Sequence, residues 1–295
     1  MASLIEVVNL TKDYGQGKGI FDVSLSVKKG EVFGFLGPNG AGKTTTIRHL
    51  MGFVRPDKGN CSISGMDCYK EAAKIQRSLG YLPGEIAFLD DMNGGQLLDF
   101  IAAMKGIKDK TRIQELMELF ELNPSGKIKK MSKGMKQKIG IICAFMGEPE
   151  ILILDEPTSG LDPLMQNRFI NLILREKKKG KTIIISSHIF EEIERTCDRT
   201  AFIKRGKIVA VEDMNTLREK KHKAYVITFN SPEDISEFSK EGFNIIDTVD
   251  NQVTVAVKGD IQLFLKAITR YNIKDLDVKA QTLEEIFLHL YGGDK

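Results

Sequence analysis

The chain has 295 residues, 42% apolar and 28% charged, the composition of a globular protein long enough for one large domain and a smaller one. Its 43 basic and 40 acidic side chains leave a formal charge of +3, which gives no reason to expect nucleic acid as a direct partner. The longest uncharged stretch, residues 32–42, falls far short of the roughly 20 apolar residues that a membrane-spanning helix needs. Glu6 interrupts the place where the apolar core of a secretory signal would lie, so no such signal is expected. Cys61, Cys68, Cys143 and Cys197 form no C-x-x-C pair and no metal-site spacing, which reads as reduced thiols of a cytosolic protein.

Residues 5–10 and 21–27 alternate apolar and polar side chains and predict two strands. The segment Gly15-Gln16-Gly17-Lys18-Gly19 between them lacks the Lys-Thr ending of a phosphate loop and predicts a hairpin turn. The apolar run Val32-Phe33-Gly34-Phe35-Leu36 then leads into Gly37-Pro38-Asn39-Gly40-Ala41-Gly42-Lys43-Thr44, a complete G-x-x-x-x-G-K-[ST] motif, with helical character over 45–51. That is the strand–loop–helix setting the motif requires. Its glycines let backbone N–H groups wrap a polyphosphate, and the following helix start adds partial positive charge. A nucleoside triphosphate is therefore the expected ligand, with Lys43 reaching the β- and γ-phosphates and the Thr44 hydroxyl ligating Mg²⁺.

Residues 93–137 carry Leu97, Leu98, Ile101, Ala102, Ile113, Leu116, Met117 and Phe120 at helical spacing and predict a helical insertion. Residues 151–154 and 182–185 are nearly continuous aliphatic runs, as expected of parallel strands buried on both faces. Between them, 163–179 predicts a helix with apolar Leu164, Phe169, Leu172 and Ile173, closed by Gly180. Strand, helix, strand predicts an α/β core. The strand at 151–154 ends in Asp155-Glu156, an unfavourable place for a merely solvated face. Asp155 suits a Mg²⁺ ligand and Glu156 suits a group that orients and polarises attacking water.

Composition changes after Leu217, where Arg218-Glu219-Lys220-Lys221-His222-Lys223 reads as a solvated linker in preference to a binding patch. Beyond it, 225–229 predicts a strand, 232–240 a helix, 244–257 two strands around Asp250-Asn251, 260–271 a helix, 273–278 a strand and 283–291 a final helix. Thr282 and Glu285 have the capping-box spacing for that last helix. The order β-α-β-β-α-β predicts a small α+β, ferredoxin-like domain over 218–295, after a first domain over 1–217 with a helical subdomain at about 86–147.

The segment Met131-Ser132-Lys133-Gly134-Met135-Lys136-Gln137 resembles the signature usually written LSGGQ. Together with the phosphate loop, Asp155-Glu156, Ser159-Gly160-Leu161-Asp162 and Ser186-Ser187-His188 in that order, it makes residues 4–213 similar to the ATP-binding cassette (ABC) family. The resemblance is to the stand-alone ATPase subunit of a bacterial-type exporter, whose membrane spans lie on another chain. It implies a RecA-like phosphate-loop core with antiparallel β and helical subdomains, ATP hydrolysis with Mg²⁺, and a homodimer that closes on two ATP molecules. It further implies a separate polytopic permease and a place on the cytoplasmic face of the membrane. Tyr14 would stack on adenine, and Gly37 to Thr45 would hold the phosphates. Ser132 and Gly134 would contact ATP held by a second copy. Asp162 would sit at the dimer seam, and His188 would touch the γ-phosphate while holding Glu156 and Asp162 in place.

Two departures stand out. The family usually has glutamine after Leu82-Pro83, where it contacts Mg²⁺, and this chain has Gly84-Glu85; either Glu85 substitutes for it or the contact is weak. Lys133 replaces a signature glycine among Lys127, Lys129, Lys130, Lys136 and Lys138, which is either a phosphate-attracting cluster or a solvated face. A soluble switch acting on ribosomes or nucleic acid is the rival expectation, disfavoured because ribosome-acting relatives usually carry two cassettes. For the tail, a dimer-interface role is preferred to ligand binding.

Overall fold

Alternation in the first segments produces a long hairpin. β1 (Ser3–Asp13) buries Ile5, Val7 and Leu10, and β2 (Gly19–Lys28) buries Ile20, Val23 and Val27. Asp13 pairs with Gly19 at its end, so the glycine-rich segment is the expected turn. The computed structural model describes residues 3–89, 91–219, 223–257 and 261–280. Two compact units follow one another along the chain, Met1–Met214 and Asn215–Lys295.

In the first unit, β3 (Val32–Leu36) is buried throughout and runs into α1 (Lys43–Leu50). β4 (Lys58–Ile63) and β5 (Met66–Asp67), which the sequence did not reveal, extend the hairpin into an antiparallel sheet of order β2-β1-β4-β5. α2 (Ala72–Ser78) leads directly into β6 (Leu79–Leu82). The expected helical insertion is three helices with breaks. α3 (Gly94–Met104) opens on an Asn93–Gln96 capping box and stops at Gly106, whose φ of 69° suits glycine. α4 (Thr111–Leu119) follows, then a single 3₁₀ turn at Ile128–Lys130 and α5 (Lys133–Phe145). Leu97, Leu98, Ala102, Ile113, Leu116 and Phe120 are buried, as their spacing requires.

β7 (Ile151–Asp155), α6 (Pro163–Lys178), β8 (Thr182–Ser187), α7 (Phe190–Thr196), β9 (Arg199–Lys204) and β10 (Lys207–Asp213) complete this unit. The second sheet has the order β10-β9-β3-β8-β7-β6 and is parallel except at β10. α6 corrects one expectation. Leu164 is 57% exposed, and the buried face runs through Met165, Phe169, Leu172 and Ile173, each such side chain contributing about 1.5–3 kcal/mol by leaving water. α1 belongs to a core formed by both sheets, with Ile47 and Leu50 among Val7, Leu10, Phe33, Phe35 and Ile153.

α8 (Met214–Glu219) takes up Arg218 and Glu219 of the expected linker. In the second unit, β11 (Lys223–Phe229), α9 (Pro232–Phe238), β12 (Asn244–Val249), β13 (Gln252–Ala256), α10 (Ile261–Ile268) and β14 (Ile273–Ala280) form an antiparallel sheet of order β12-β13-β11-β14. Tyr225, Ile227 and Phe229 alternate with Val253 and Val255 onto one face, where Phe238 of α9 and Phe264 and Ile268 of α10 close the core. This is the ferredoxin-like order. The expected helix at 283–291 and its Thr282–Glu285 cap lie outside the described residues. Among the described residues no helix is long and apolar enough to cross a membrane.

Candidate active site

The carboxyl ends of β3, β7 and β8 come level because Leu36 pairs with Ser187 and Asp155 with Ser186. The phosphate loop leaves β3 at this edge, where open parallel sheets bind ligands. Only glycine fits at Gly37, where a Cβ would lie 2.3 Å from the Ile203 carbonyl oxygen, and at Gly42, whose φ is 113°. Gly37 N donates to Ser187 O (3.3 Å) and Gly206 N donates to Ala41 O (2.9 Å), which fixes both ends of the loop. Pro38, Asn39 and Gly40 form its exposed crest, while Thr44 and Thr45 are half-buried.

Lys43 is 5% exposed and donates to Gly37 O (2.6 Å) and Pro38 O (3.2 Å). The same ammonium lies 3.0 Å from Glu156 Oε1. The other oxygen of Glu156, Oε2, is 2.7 Å from His188 Nδ1. Glu156 is held at a φ of 47°, with its N–H donating to Ser186 O (3.2 Å) and Ser186 Oγ (3.0 Å). Ser186 Oγ in turn donates to Asp155 Oδ1. One serine hydroxyl thus joins the Asp155 carboxylate to the backbone of Glu156.

Asp155 is fully buried, and its Oδ2 has no hydrogen-bond partner among the described residues. Burial pushes its pKa above the ordinary carboxylate range, against the pull of the Ser186 and Thr44 hydroxyls. A buried orphan carboxylate oxygen beside a threonine hydroxyl is an oxygen-only donor set, the kind a hard divalent cation takes. Gly84 faces that oxygen closely, since a Cβ there would lie 2.9 Å from Asp155 Oδ2. Glu85 lines a cleft of about 390 Å³ with Ile86, Met131, Lys133, Lys136 and Gln137.

A second group of residues forms around α5. Ser132 caps this helix by accepting from Met135 N (3.2 Å). Gly134 lies against Gly160, where a Cβ on Gly134 would come within 2.7 Å of the Gly160 carbonyl oxygen. Lys133 Nζ donates to Ser159 Oγ (2.8 Å), so within one chain this lysine is tied to the loop after Glu156. Gln137 Nε2 donates to Pro157 O (2.7 Å) and joins the helix to the same loop. Asp162 caps α6 by accepting from Met165 N (2.9 Å), ahead of Pro163.

The structure therefore assembles Lys43, Thr44, Asp155, Glu156 and His188 at one sheet edge. Ser132, Gly134 and Asp162 belong to the neighbouring group, where the Asp162 carboxylate serves its own helix. Tyr14 stands apart in the hairpin turn, 54% exposed, with its N–H donating to Lys18 O (2.9 Å). Sequence reasoning missed Gln137, Thr158 and Glu192 as members of the network, and read Ser186 and Ser187 only as flanks of His188. The adjacency of the two serines to His188 was the one available signal.

The profile of the family described as ABC transporter matches residues 20–159. The linearmycin resistance ATP-binding protein LnrL of Bacillus subtilis is 32% identical, over 98% of this chain and 98% of that protein. The bacitracin transport ATP-binding protein BcrA of Bacillus licheniformis is 33% identical, over 99% of each. Among solved structures, an ATP-binding subunit of an ABC transporter superposes with a TM-score of 0.68 at 32% identity, covering 74% of this chain and 93% of that one. A dimeric structure of the cassette MJ0796 shares the fold, with a TM-score of 0.65 at 24% identity over 71% of this chain and 98% of that one. With the phosphate loop, the paired acids and His188 in one edge of the sheet, the chain belongs to the family of ABC transporter ATP-binding subunits and is an ATPase.

Proposed function

We propose that two copies of this chain close on two ATP molecules and drive a separate polytopic permease that works as an exporter. The contiguity of Lys43, Glu156 and His188, at 3.0 and 2.7 Å, carries the reading of the reaction. Glu156 orients the attacking water and takes its proton, His188 fixes the carboxylate and reaches the γ-phosphate, and Lys43 neutralises the β- and γ-phosphates. Thr44 and the free oxygen of Asp155 would hold Mg²⁺, which supplies positive charge at the β- and γ-oxygens when bound. Tyr14 stacks on the adenine.

Ser132 and the N–H of Gly134, at the start of α5, suit an anion presented by the second copy. Asp162, two residues after the Gly160 that Gly134 approaches, would lie at the same seam. Hydrolysis removes the γ-phosphate that both copies grip, and the seam opens. An apolar cleft of about 290 Å³, lined by Phe53, Tyr81, Phe88, Ile101, Lys105 and Cys143, suits a short helix of the permease. That engagement places the chain on the inner face of the membrane. Relatives named for linearmycin resistance and bacitracin transport support export as the direction.

Gel filtration of the full chain with ATP tests the core of this reading. Glu156→Gln is expected to accumulate as an ATP-bound dimer and Lys43→Ala to lose nucleotide binding. Wild-type hydrolysis by Glu156→Gln would overturn the assignment of the base. Capture of the chain from detergent-solubilised membranes tests the partner, with a stoichiometric polytopic protein expected.

A further inference from the structure

We propose that Glu192 is a positioning residue for ATP hydrolysis, a buried carboxyl that fixes the two segments presenting Glu156 and His188 to the nucleotide. Glu192 lies in α7 and is 4% exposed. Its Oε2 accepts from Ser187 Oγ (2.6 Å) and from Thr158 Oγ1 (3.2 Å). Ser187 immediately precedes His188, and Ser187 Oγ also accepts from Ile189 N (3.0 Å), so both flanks of the histidine rest on this one hydroxyl. Thr158 belongs to the turn that follows Glu156, where Ser159 N donates to Glu156 O (3.1 Å). Glu192 touches neither Glu156 nor His188 through a hydrogen bond of its own; it holds what holds them.

The charge state of this carboxyl sets how firmly it holds. Oε1 is buried and has no hydrogen-bond partner among the described residues. A carboxylate that is half satisfied in a dry setting is costly. Burial pushes its pKa up to about 7, against the Ser187 and Thr158 hydroxyls that pull it down; Glu156 adds to the rise and His188 opposes it. The titratable groups facing it are Glu156 beyond β7, His188 beyond β8 and the buried Cys197 thiol just after α7. On α6, Lys177 serves the far end of α7, donating to Thr196 O (3.3 Å) and pairing with Asp198 (2.6 Å). Ionised, Glu192 draws both hydroxyls in charge-assisted bonds about twice as strong as neutral ones; protonated, it relaxes them.

Steady-state ATPase assays on the full chain across pH, together with binding of a fluorescent ATP analogue, test this. Glu192→Ala is expected to lower kcat about tenfold while KM for ATP stays within about twofold. Glu192→Gln keeps the acceptor oxygen and is expected to recover most of that loss near neutrality. It should also lack the part of the activity rise between about pH 6 and 8 that the wild type owes to this group. A Glu192→Gln variant with the wild-type pH profile, or a Glu192→Ala variant with unchanged kcat, would overturn the proposal. The inference rests on the roles given to Glu156 and His188. Their failure shows separately, as wild-type hydrolysis by Glu156→Gln, whereas failure of the Glu192 role leaves Glu156→Gln inactive beside fully active Glu192 variants.

Discussion

The guanidinium of Arg112, in α4 of the helical insertion, lies 2.7 Å from the carboxylate of Glu176, near the end of α6. A second arginine reaches the other way: Arg168 of α6 donates to Leu119 O (2.7 Å) and pairs with Glu121. The insertion is thereby fastened to the helix that Asp162 caps. Glu176 is fully buried and also meets Lys179 at 3.1 Å and Lys181 at 2.5 Å. Removing one member of a buried charge group strands the others, so Glu176→Ala is expected to lower the unfolding free energy by about 3–5 kcal/mol, read from urea midpoints.

The pH dependence of that contribution has a definite sign. Burial alone would raise the Glu176 pKa, but Lys181 and Lys179 hold it below the ordinary carboxylate range. The folded state therefore binds its proton less readily than the unfolded chain. The stabilisation is whole above the unfolded value, about pH 4.3, and fades as pH falls through the folded one. The stability deficit of Glu176→Gln should shrink on acidification; a deficit that stays constant down to the acid transition would contradict it.

Glu192 runs the other way. Its pKa in the folded chain is raised to about 7, so the folded state favours the protonated form. Its favourable contribution is complete below about pH 4.3 and is lost as pH rises to about 7. Glu192→Gln, which cannot ionise, should gain thermal stability relative to the wild type across that window and keep the gain above it. Melting curves at a series of pH values measure this without reference to activity.

Gly84 occupies the place where the family usually carries glutamine, and a Cβ built there would come within 2.9 Å of Asp155 Oδ2. Asp155 cannot swing aside freely, because it is buried and bonded to Ser186. Gly84→Ala is expected to displace the carboxylate and raise the Mg²⁺ concentration needed for half-maximal hydrolysis about tenfold. Circular dichroism should show the fold intact.

At the Gly134–Gly160 approach, Gly134→Ala brings a Cβ within 2.7 Å of a backbone oxygen that only a shift of the loop can relieve. In a Glu156→Gln background the added methyl should abolish the ATP-dependent dimer on gel filtration while each copy still binds nucleotide. Lys133→Ala, which removes one exposed bond to Ser159, should change stability by no more than about 1 kcal/mol.

Much of the molecule was legible because its strands are either strictly alternating or wholly apolar. Ile5, Val7 and Leu10 declare a half-buried strand, and Ile151 to Leu154 a fully buried one. β4 escaped because Lys58, Gly59 and Asn60 are exposed and give it no period, and β5 has only two residues. The face of α6 was read one position early: Leu164 looked like its first apolar contact, yet Met165 points inward. At the site, motif spacing identified Lys43, Asp155, Glu156 and His188. It could not mark Glu192, which stands beside exposed Glu191 and differs from it only through packing.

The φ of 47° at Glu156 carries a cost of its own. A residue with a side chain gives up about 1–2 kcal/mol in the left-handed region, and glycine gives up almost nothing. A glycine at this turn would hold the loop with less strain and leave no carboxylate beside His188. A screen of variants for heat resistance would therefore enrich, at this position, chains that no longer hydrolyse ATP. Durability and turnover compete for the same peptide.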